Sequence, residues 1–184
     1  MAGDAELLSA AARRDTKAFG EIAKRYYQPV YRLASRMIGG HADAADIAQE
    51  AFLKLWRNPA QVREAGALKG WLMRVAANTV IDRSRGRTHT DLETAPEAAD
   101  ATPLADTGLE RQSAAREIER RLAALPERQR LALSLVYYEG LTNIEAASVM
   151  EISIDAVESL LARGRRGLRE SLKGDWRNLL DGLK

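Results

Sequence analysis

Residues 141–169, LTNIEAASVMEISIDAVESLLARGRRGLR, hold two helix-like runs parted by about three residues, and the second run ends among arginines. Thr142 followed three residues later by Glu145 is a capping-box signature, in which each side chain satisfies an otherwise orphaned backbone N–H of the first turn. This helix runs to about Met150. Ser153 is an N-cap candidate for the second helix. On a 100°-per-residue wheel, Ile154, Val157, Leu161, Gly164, Leu168 and Leu172 form one stripe, which predicts a buried face. The other side carries Asp155, Ala156, Ser159, Arg163 and Arg166. Short polar residues near the start of such a helix let its backbone approach base edges, and later arginines meet phosphates. A helix-turn-helix is the reading that follows, with Ser153, Asp155, Ala156, Ser159, Arg163 and Arg166 as candidate duplex-contacting residues. A plain helical hairpin with a solvated basic face shows the same pattern. Glu151 falls where the turn takes a left-handed residue, at a cost of roughly 1–2 kcal/mol for a side chain other than glycine.

Outward from this pair the chain also reads as helical. Leu7, Leu8 and Ala11 share a face near the start, and Phe19, Ile22, Tyr26, Val30 and Leu33 are spaced by three and four over 18–37, a run that Pro29 is expected to bend or split. A third helix is expected over Asp43–Arg57, stopped near Asn58-Pro59. A fourth runs from Leu68 to about Arg85, with Leu68, Trp71, Leu72, Val75, Ala76 and Val80 inward. Ala114–Leu125 is expected to be helical, and Pro126 to start the next helix at its first turn. Nothing alternates with period two, so the fold class is all-α: two small helical domains, the second with the helix-turn-helix.

The net charge of +2 hides a pattern. Residues 1–87 carry 15 bases against 9 acids, and residues 111–184 carry 13 against 11. Between them, residues 88–110 hold six acids and no lysine or arginine. With Pro96, Pro103 and Gly108 breaking any periodicity, residues 88–112 read as a flexible acidic linker between a first domain at 1–87 and a second at 113–184. Extended, it spans about 80 Å. The chain has no cysteine, so disulfides, thiolate metal sites and thiol nucleophiles are excluded, which fits a reducing cytoplasm. No signal peptide or membrane span is expected. His41 and His89 are the only histidines, and neither a nucleophile–base pair nor a metal-ligand cluster stands out, so no catalytic residue, metal or cofactor is expected and the chain does not read as an enzyme.

Two polar faces mark the first domain. DAADIAQEAFLKLWRN, residues 43–58, sets Asp43, Asp46, Gln49 and Glu50 along one side and gives Phe52, Leu55 and Trp56 to the core. An acidic first turn suits the helix dipole and accounts for Asp43 and Asp46; Glu50 fits better with a partner surface rich in arginine and lysine. In ALKGWLMRVAANTVIDRSRGR, residues 67–87, Arg74, Asn78, Asp82 and Arg85 lie within about 80° of one another. Arg83 and Arg87 add charge. Such a row fits a single-stranded or melted nucleic-acid surface; Asp82 could equally pair with Arg85 or Arg74, and Trp71 falls on the apolar stripe.

These residues together resemble the bacterial sigma factors of the extracytoplasmic-function (ECF) group. The pattern D-A-E-D-[LI]-x-Q-E-x-F corresponds to Asp43-Ala44-Ala45-Asp46-Ile47-Ala48-Gln49-Glu50-Ala51-Phe52, and W-L-x-x-[IV]-A-x-N-x-x-x-D-x-x-R to Trp71-Leu72, Val75-Ala76, Asn78, Asp82 and Arg85. L-P-x-x-x-R ahead of a helix-turn-helix corresponds to Leu125-Pro126 and Arg130. The resemblance implies that Asp46, Gln49 and Glu50 bind the clamp helices of core RNA polymerase, and that Arg74, Asn78, Arg83 and Arg85, with the preceding loop, hold the −10 promoter element. It implies that the second domain reads the −35 element of promoter DNA and rests on the polymerase flap, that the linker runs through the polymerase interior, and that an anti-sigma factor holds the protein inactive. Two departures stand out. Glu158 and Leu160 occupy places that are often basic in the family, and Gly164 and Gly167 are expected to loosen the second helix. Other classes remain open at this level: a helix-turn-helix regulator acting without polymerase, and a sigma-like decoy for an anti-sigma protein. The tail's Trp176, Leu179, Leu180 and Leu183 suit either a short packed helix or a docking segment for such a partner.

Overall fold

The computed structural model describes residues 2–38, 41–62, 64–88 and 117–172, without the side chains of residues 41, 42, 65 and 85–88. Every regular element among them is helical. Four helices form the first part: α1 (Asp4–Ala12), α2 (Thr16–Ile38), α3 (His41–Arg57) and α4 (Leu68–Thr88). Two 3-10 turns, Pro59–Gln61 and Ala65–Ala67, join α3 to α4. The second part holds α5 (residues 117–123), α6 (Glu127–Leu133), α7 (Asn143–Met150) and α8 (Ile154–Leu172). Beyond Thr88 the expected linker lies outside the described residues, as do the tail residues Trp176, Leu179, Leu180 and Leu183.

Local chemistry sets the helix ends. Arg14 takes φ +66°, and the Asp15 carboxylate then accepts from the N–H groups of Lys17 (2.8 Å) and Ala18 (3.1 Å), opening α2. α3 stops at Arg57, one residue before Asn58-Pro59, as expected. Pro29 does not split its helix: α2 runs unbroken through it. Ile22 before it and Val30, Leu33 and Ala34 after it are fully buried, and that packing offsets the one backbone hydrogen bond proline removes. Pro126 opens α6 as expected, standing as its N-cap. Its extended ψ of 137° aims its carbonyl at the N–H groups of Gln129 (2.9 Å) and Arg130 (3.0 Å).

The buried apolar side chains form one cluster that runs from Leu7 in α1 to Leu161 in α8. In α4, Leu68, Trp71, Leu72, Ala76 and Val80 are buried as their periodicity predicts, with Val75 half-buried. Met73 and Ala77 are buried too, although they lie off that stripe. They share a face with Gly70, and Gly70 meets Val149 of α7, so a second layer covers α4. In α8, Val157, Leu161 and Gly164 are buried, and Leu168 and Leu172 half-buried. Ile154 departs from the expected stripe and is 41% exposed. It is the first residue of α8, and a helical side chain covers the turn before its own Cα, which here is the open turn 151–153.

Gly164 and Gly167 do not loosen α8. A Cβ on Gly164 would lie 2.8 Å from Leu133 Cδ1 and 3.2 Å from its Cγ, and one on Gly167 would lie 2.9 Å from Leu125 Cδ2. Both glycines are close-approach points that seat α8 against α6 and the segment before it. By contrast, a Cβ on Gly20 in α2 meets nothing within 4 Å. We therefore expect Gly164→Val to destabilise the protein by about 1–3 kcal/mol through overpacking. Gly20→Ala should stabilise it by about 0.5–1 kcal/mol. Urea unfolding of both variants checks the pair, and a Gly164→Val variant as stable as the parent would contradict the packing described.

Candidate nucleic-acid interface

The helix-turn-helix is built from its caps. The Thr142 N–H and hydroxyl both donate to Glu145 Oε2 (2.7 and 2.8 Å), and the Glu145 N–H donates to the Thr142 hydroxyl (3.2 Å), completing the expected capping box. Gly140, at φ +68°, turns the chain into this cap, a conformation that glycine adopts freely. Glu151 closes α7 in the left-handed conformation (φ 53°, ψ 46°), as its place in the turn requires. The Ser153 hydroxyl accepts from the Ala156 N–H (3.2 Å) and starts α8. Asp155, Ser159, Arg163 and Arg166 are exposed along one side of α8 within about 80°, while Ala156 is half-buried and Ser153 exposed at the cap. Asn143 Nδ2 reaches Glu158 Oε1 at 3.4 Å, so the acidic departure from the usual basic pattern has a polar neighbour across the turn. Arg163 Nε leans back on the Ser159 carbonyl (3.3 Å), leaving its terminal nitrogens outward.

In the first domain the expected residues divide. Asp46 and Gln49 are exposed on α3. Glu50 is half-buried and paired with Lys54 (2.9 Å) and Arg83 (3.4 Å). The Lys54 hydrogen bond is the main cause of a carboxyl held below its ordinary range, and Arg83 adds to it. Arg83 is nine residues from Arg74, half a turn round α4, and is turned toward α3, away from the row of Arg74 and Asn78. In this structure it joins α4 to α3. Asn78 is exposed, and Arg74 lies 3.5 Å from Glu151. The side chain of Arg85 lies outside the described residues. Trp71 is 6% exposed and belongs to the core.

Several contacts between the two parts were not legible in the sequence. After α6 the helix widens into a π-helical turn, Ser134–Tyr138, closed by the Glu139 N–H on the Ser134 carbonyl (3.0 Å). The extra residue in that turn rotates Tyr138 and Glu139 toward the first domain. Arg36 Nη1 lies 2.9 Å from Glu139 Oε1 and Arg32 Nη2 lies 3.6 Å from Oε2. The Lys69 ammonium donates to the Glu139 carbonyl (2.5 Å). A cleft of about 710 Å³ separates the α3–α4 loop from α7, with Asn58, Gln61 and Trp71 on one wall and Leu141, Glu145 and Ser148 on the other. These residues are far apart in sequence and share no periodicity, so no local signal could have joined them.

Glu145 gives the interface a pH dependence. The Thr142 N–H and then its hydroxyl hold this carboxyl below its ordinary value, and the charge of Lys69 adds to them against partial burial. A carboxyl lowered in the folded state stabilises fully above its unfolded pKa of about 4.3, and that contribution is lost as pH falls through the folded value. We expect Thr142→Ala to cost about 1 kcal/mol at neutral pH. Glu145→Gln should flatten the acid limb of the stability profile below about pH 4.3. Thermal melts across pH check both.

Residues 22–90 match the sigma-70 region 2 family and residues 115–168 match sigma-70 region 4. The ECF RNA polymerase sigma factor SigE of Mycolicibacterium smegmatis is 32% identical over 156 residues, covering 83% of this chain and 60% of that protein. The chain thus spans less than two thirds of that relative's length. SigM of Mycobacterium tuberculosis, also an ECF sigma factor, is 32% identical over 170 residues, covering 92% of this chain and 84% of SigM. In fold, the chain is similar to the sigma factor RpoE of Bartonella quintana, solved with the anti-sigma factor NepR, at a TM-score of 0.73 and 22% identity, covering 87% of this chain and 99% of RpoE. With region 2 and region 4 both matched, relatives at 32% identity over most of the chain, and the helix-turn-helix formed where region 4 matches, the chain belongs to the ECF sigma factors of RNA polymerase.

Proposed function

We propose that this chain directs promoter-specific initiation by RNA polymerase through two units, 1–87 and 113–184, joined by the acidic segment 88–112. The exposed Asp46 and Gln49 on α3, with Glu50 behind them, form the surface for the polymerase clamp. Arg74 and Asn78 on α4, with Arg85 on the same side of the helix, hold the −10 strand together with the loop before α4. Ser153, Asp155, Ala156, Ser159, Arg163 and Arg166 meet the −35 duplex. An anti-sigma protein, as found with the Bartonella relative, is the proposed regulator.

One observation carries this reading: α8 seats Val157, Leu161 and Gly164 in the core while presenting Asp155, Ser159, Arg163 and Arg166 to solvent on one side. That is the geometry of a helix made to enter a major groove. The modest charge of the second unit fits a reader that shares the work with polymerase, because non-specific affinity comes largely from phosphate neutralisation. A regulator acting without polymerase would instead bind a palindromic duplex tightly when free.

Two outcomes are expected. Asp46→Lys sets like charges against a basic clamp surface, an arrangement that costs several kcal/mol at an interface. It should weaken binding to core polymerase while leaving helicity intact, as read by circular dichroism and a core-binding titration. In α8, Arg163→Ala should relax preference at one or two −35 positions by roughly 1–3 kcal/mol. Arg166→Ala should weaken all −35 sequences alike and lower the salt slope by about one. Holoenzyme binding to a panel of −35 variants at several salt concentrations separates these roles. Exchanged phenotypes would shift the register of the helix in the groove.

A further inference from the structure

One polar contact between the two units converges on two consecutive residues. Glu139 has a side chain only 1% exposed although it is an acid on the second unit, and its charge partners, Arg36 and Arg32, come from α2 of the first. The Arg36 guanidinium also lies 4.1 Å from the centre of the Tyr138 ring, and Lys69 of α4 holds the Glu139 carbonyl. Around this point the units close further. Val149 of α7 lies against Gly70 of α4, Arg74 reaches Glu151, and the Ser84 hydroxyl and Glu127 Oε1 are 3.0 Å apart.

This closed arrangement and promoter binding exclude each other. Elements at −10 and −35 are about 25 base pairs apart, or about 85 Å along a duplex that rises roughly 34–36 Å per turn of about ten pairs. Here α4 touches α7 directly. The cleft beside the α3–α4 loop is walled by Leu141, Glu145 and Ser148, so the first helix of the helix-turn-helix stands over the loop and beside Arg74. The acidic segment, about 80 Å when extended, is long enough to let the units part. The latch itself has the chemistry of a phosphate seat: two guanidinium groups on one carboxylate, with the Lys69 ammonium beside them on the carbonyl of the same residue. The fit is incomplete, since Arg36 Nε is buried without an acceptor.

We propose that Glu139 latches a closed, self-inhibited form of this chain, its carboxylate occupying the Arg32–Arg36 seat, beside Lys69, that strand phosphates take once the units part. The proposal rests on the promoter-binding reading above and adds to it a form of control that needs no second protein. A form that must open before it binds has its apparent affinity reduced by the fraction open. Removing the latch charge therefore tightens nucleic-acid binding although a carboxylate, not a base contact, has been altered.

The test uses the full chain. It has no native cysteine, so spin labels at Lys24→Cys and Ala162→Cys, both exposed, report the distance between the units without interference. The parent should give one short, narrow distribution. Glu139→Gln should add a longer, broader one, Glu139→Lys should make it dominant, and Arg36→Glu together with Glu139→Lys should restore the short distance. In parallel, a labelled single-stranded oligonucleotide should bind Glu139→Gln about tenfold more tightly than the parent, the gain expected if about one molecule in ten is open. Arg32→Ala with Arg36→Ala in that background should remove the gain. An unchanged distance distribution in both Glu139 variants at normal helicity would overturn the latch. So would an opened Glu139→Gln protein that binds the strand no better, or one whose affinity ignores Arg32 and Arg36. Neither measurement involves polymerase, so failed initiation with a normal latch response would count against the function proposed above and not against the latch.

Discussion

α4 is packed from two sides, and that double packing joins the two parts of the chain. One face, Leu68, Leu72, Ala76 and Val80, closes the bundle with α2 and α3. Another, with Gly70, Met73 and Ala77, receives α7 from the second unit. A fully buried leucine or methionine stabilises by about 1.5–3 kcal/mol relative to its exposed state, so a helix covered on both faces is costly to uncover. A Cβ on Gly70 would lie 3.9 Å from Val149 Cγ2, an ordinary contact, so α7 sits just beyond this position.

The electrostatics are subordinate to that packing but direct it. Exposed pairs such as Lys24 with Glu21 contribute little, because water screens them and two long side chains must be ordered. Glu139 differs because its carboxylate is out of water, and breaking a buried pair by removing one partner leaves an uncompensated charge. The π-helical turn puts it there. Such turns displace residues round the helix axis by inserting one residue, and they recur at functional positions. The Glu50–Arg83 pair does a smaller version of the same work within the first unit, tying α3 to α4 beneath the proposed polymerase surface.

Much of the fold was legible in the sequence. The helices, the stop at Asn58-Pro59, the Thr142–Glu145 box, the left-handed Glu151 and the Ser153 cap all depend on interactions within four residues, which a linear reading captures. The errors share a cause. Pro29 was expected to bend or split α2, Ile154 to be buried, and Gly164 and Gly167 to loosen α8. In each case the answer depended on what lay against the residue, and that neighbour came from elsewhere in the chain.

By itself, the sequence determined an all-α chain, the positions of its caps and breaks, and the outward rows on α4 and α8, because period, propensity and capping are local properties of the backbone and its nearest side chains. Only the tertiary structure decided that the two units meet, that α4 carries a second buried face, and that Glu139 enters a cluster of cations from α2 and α4. Arg36 and Glu139 are 103 residues apart. No periodicity connects residues at that distance; burial and charge complementarity join them only after both helical units have formed.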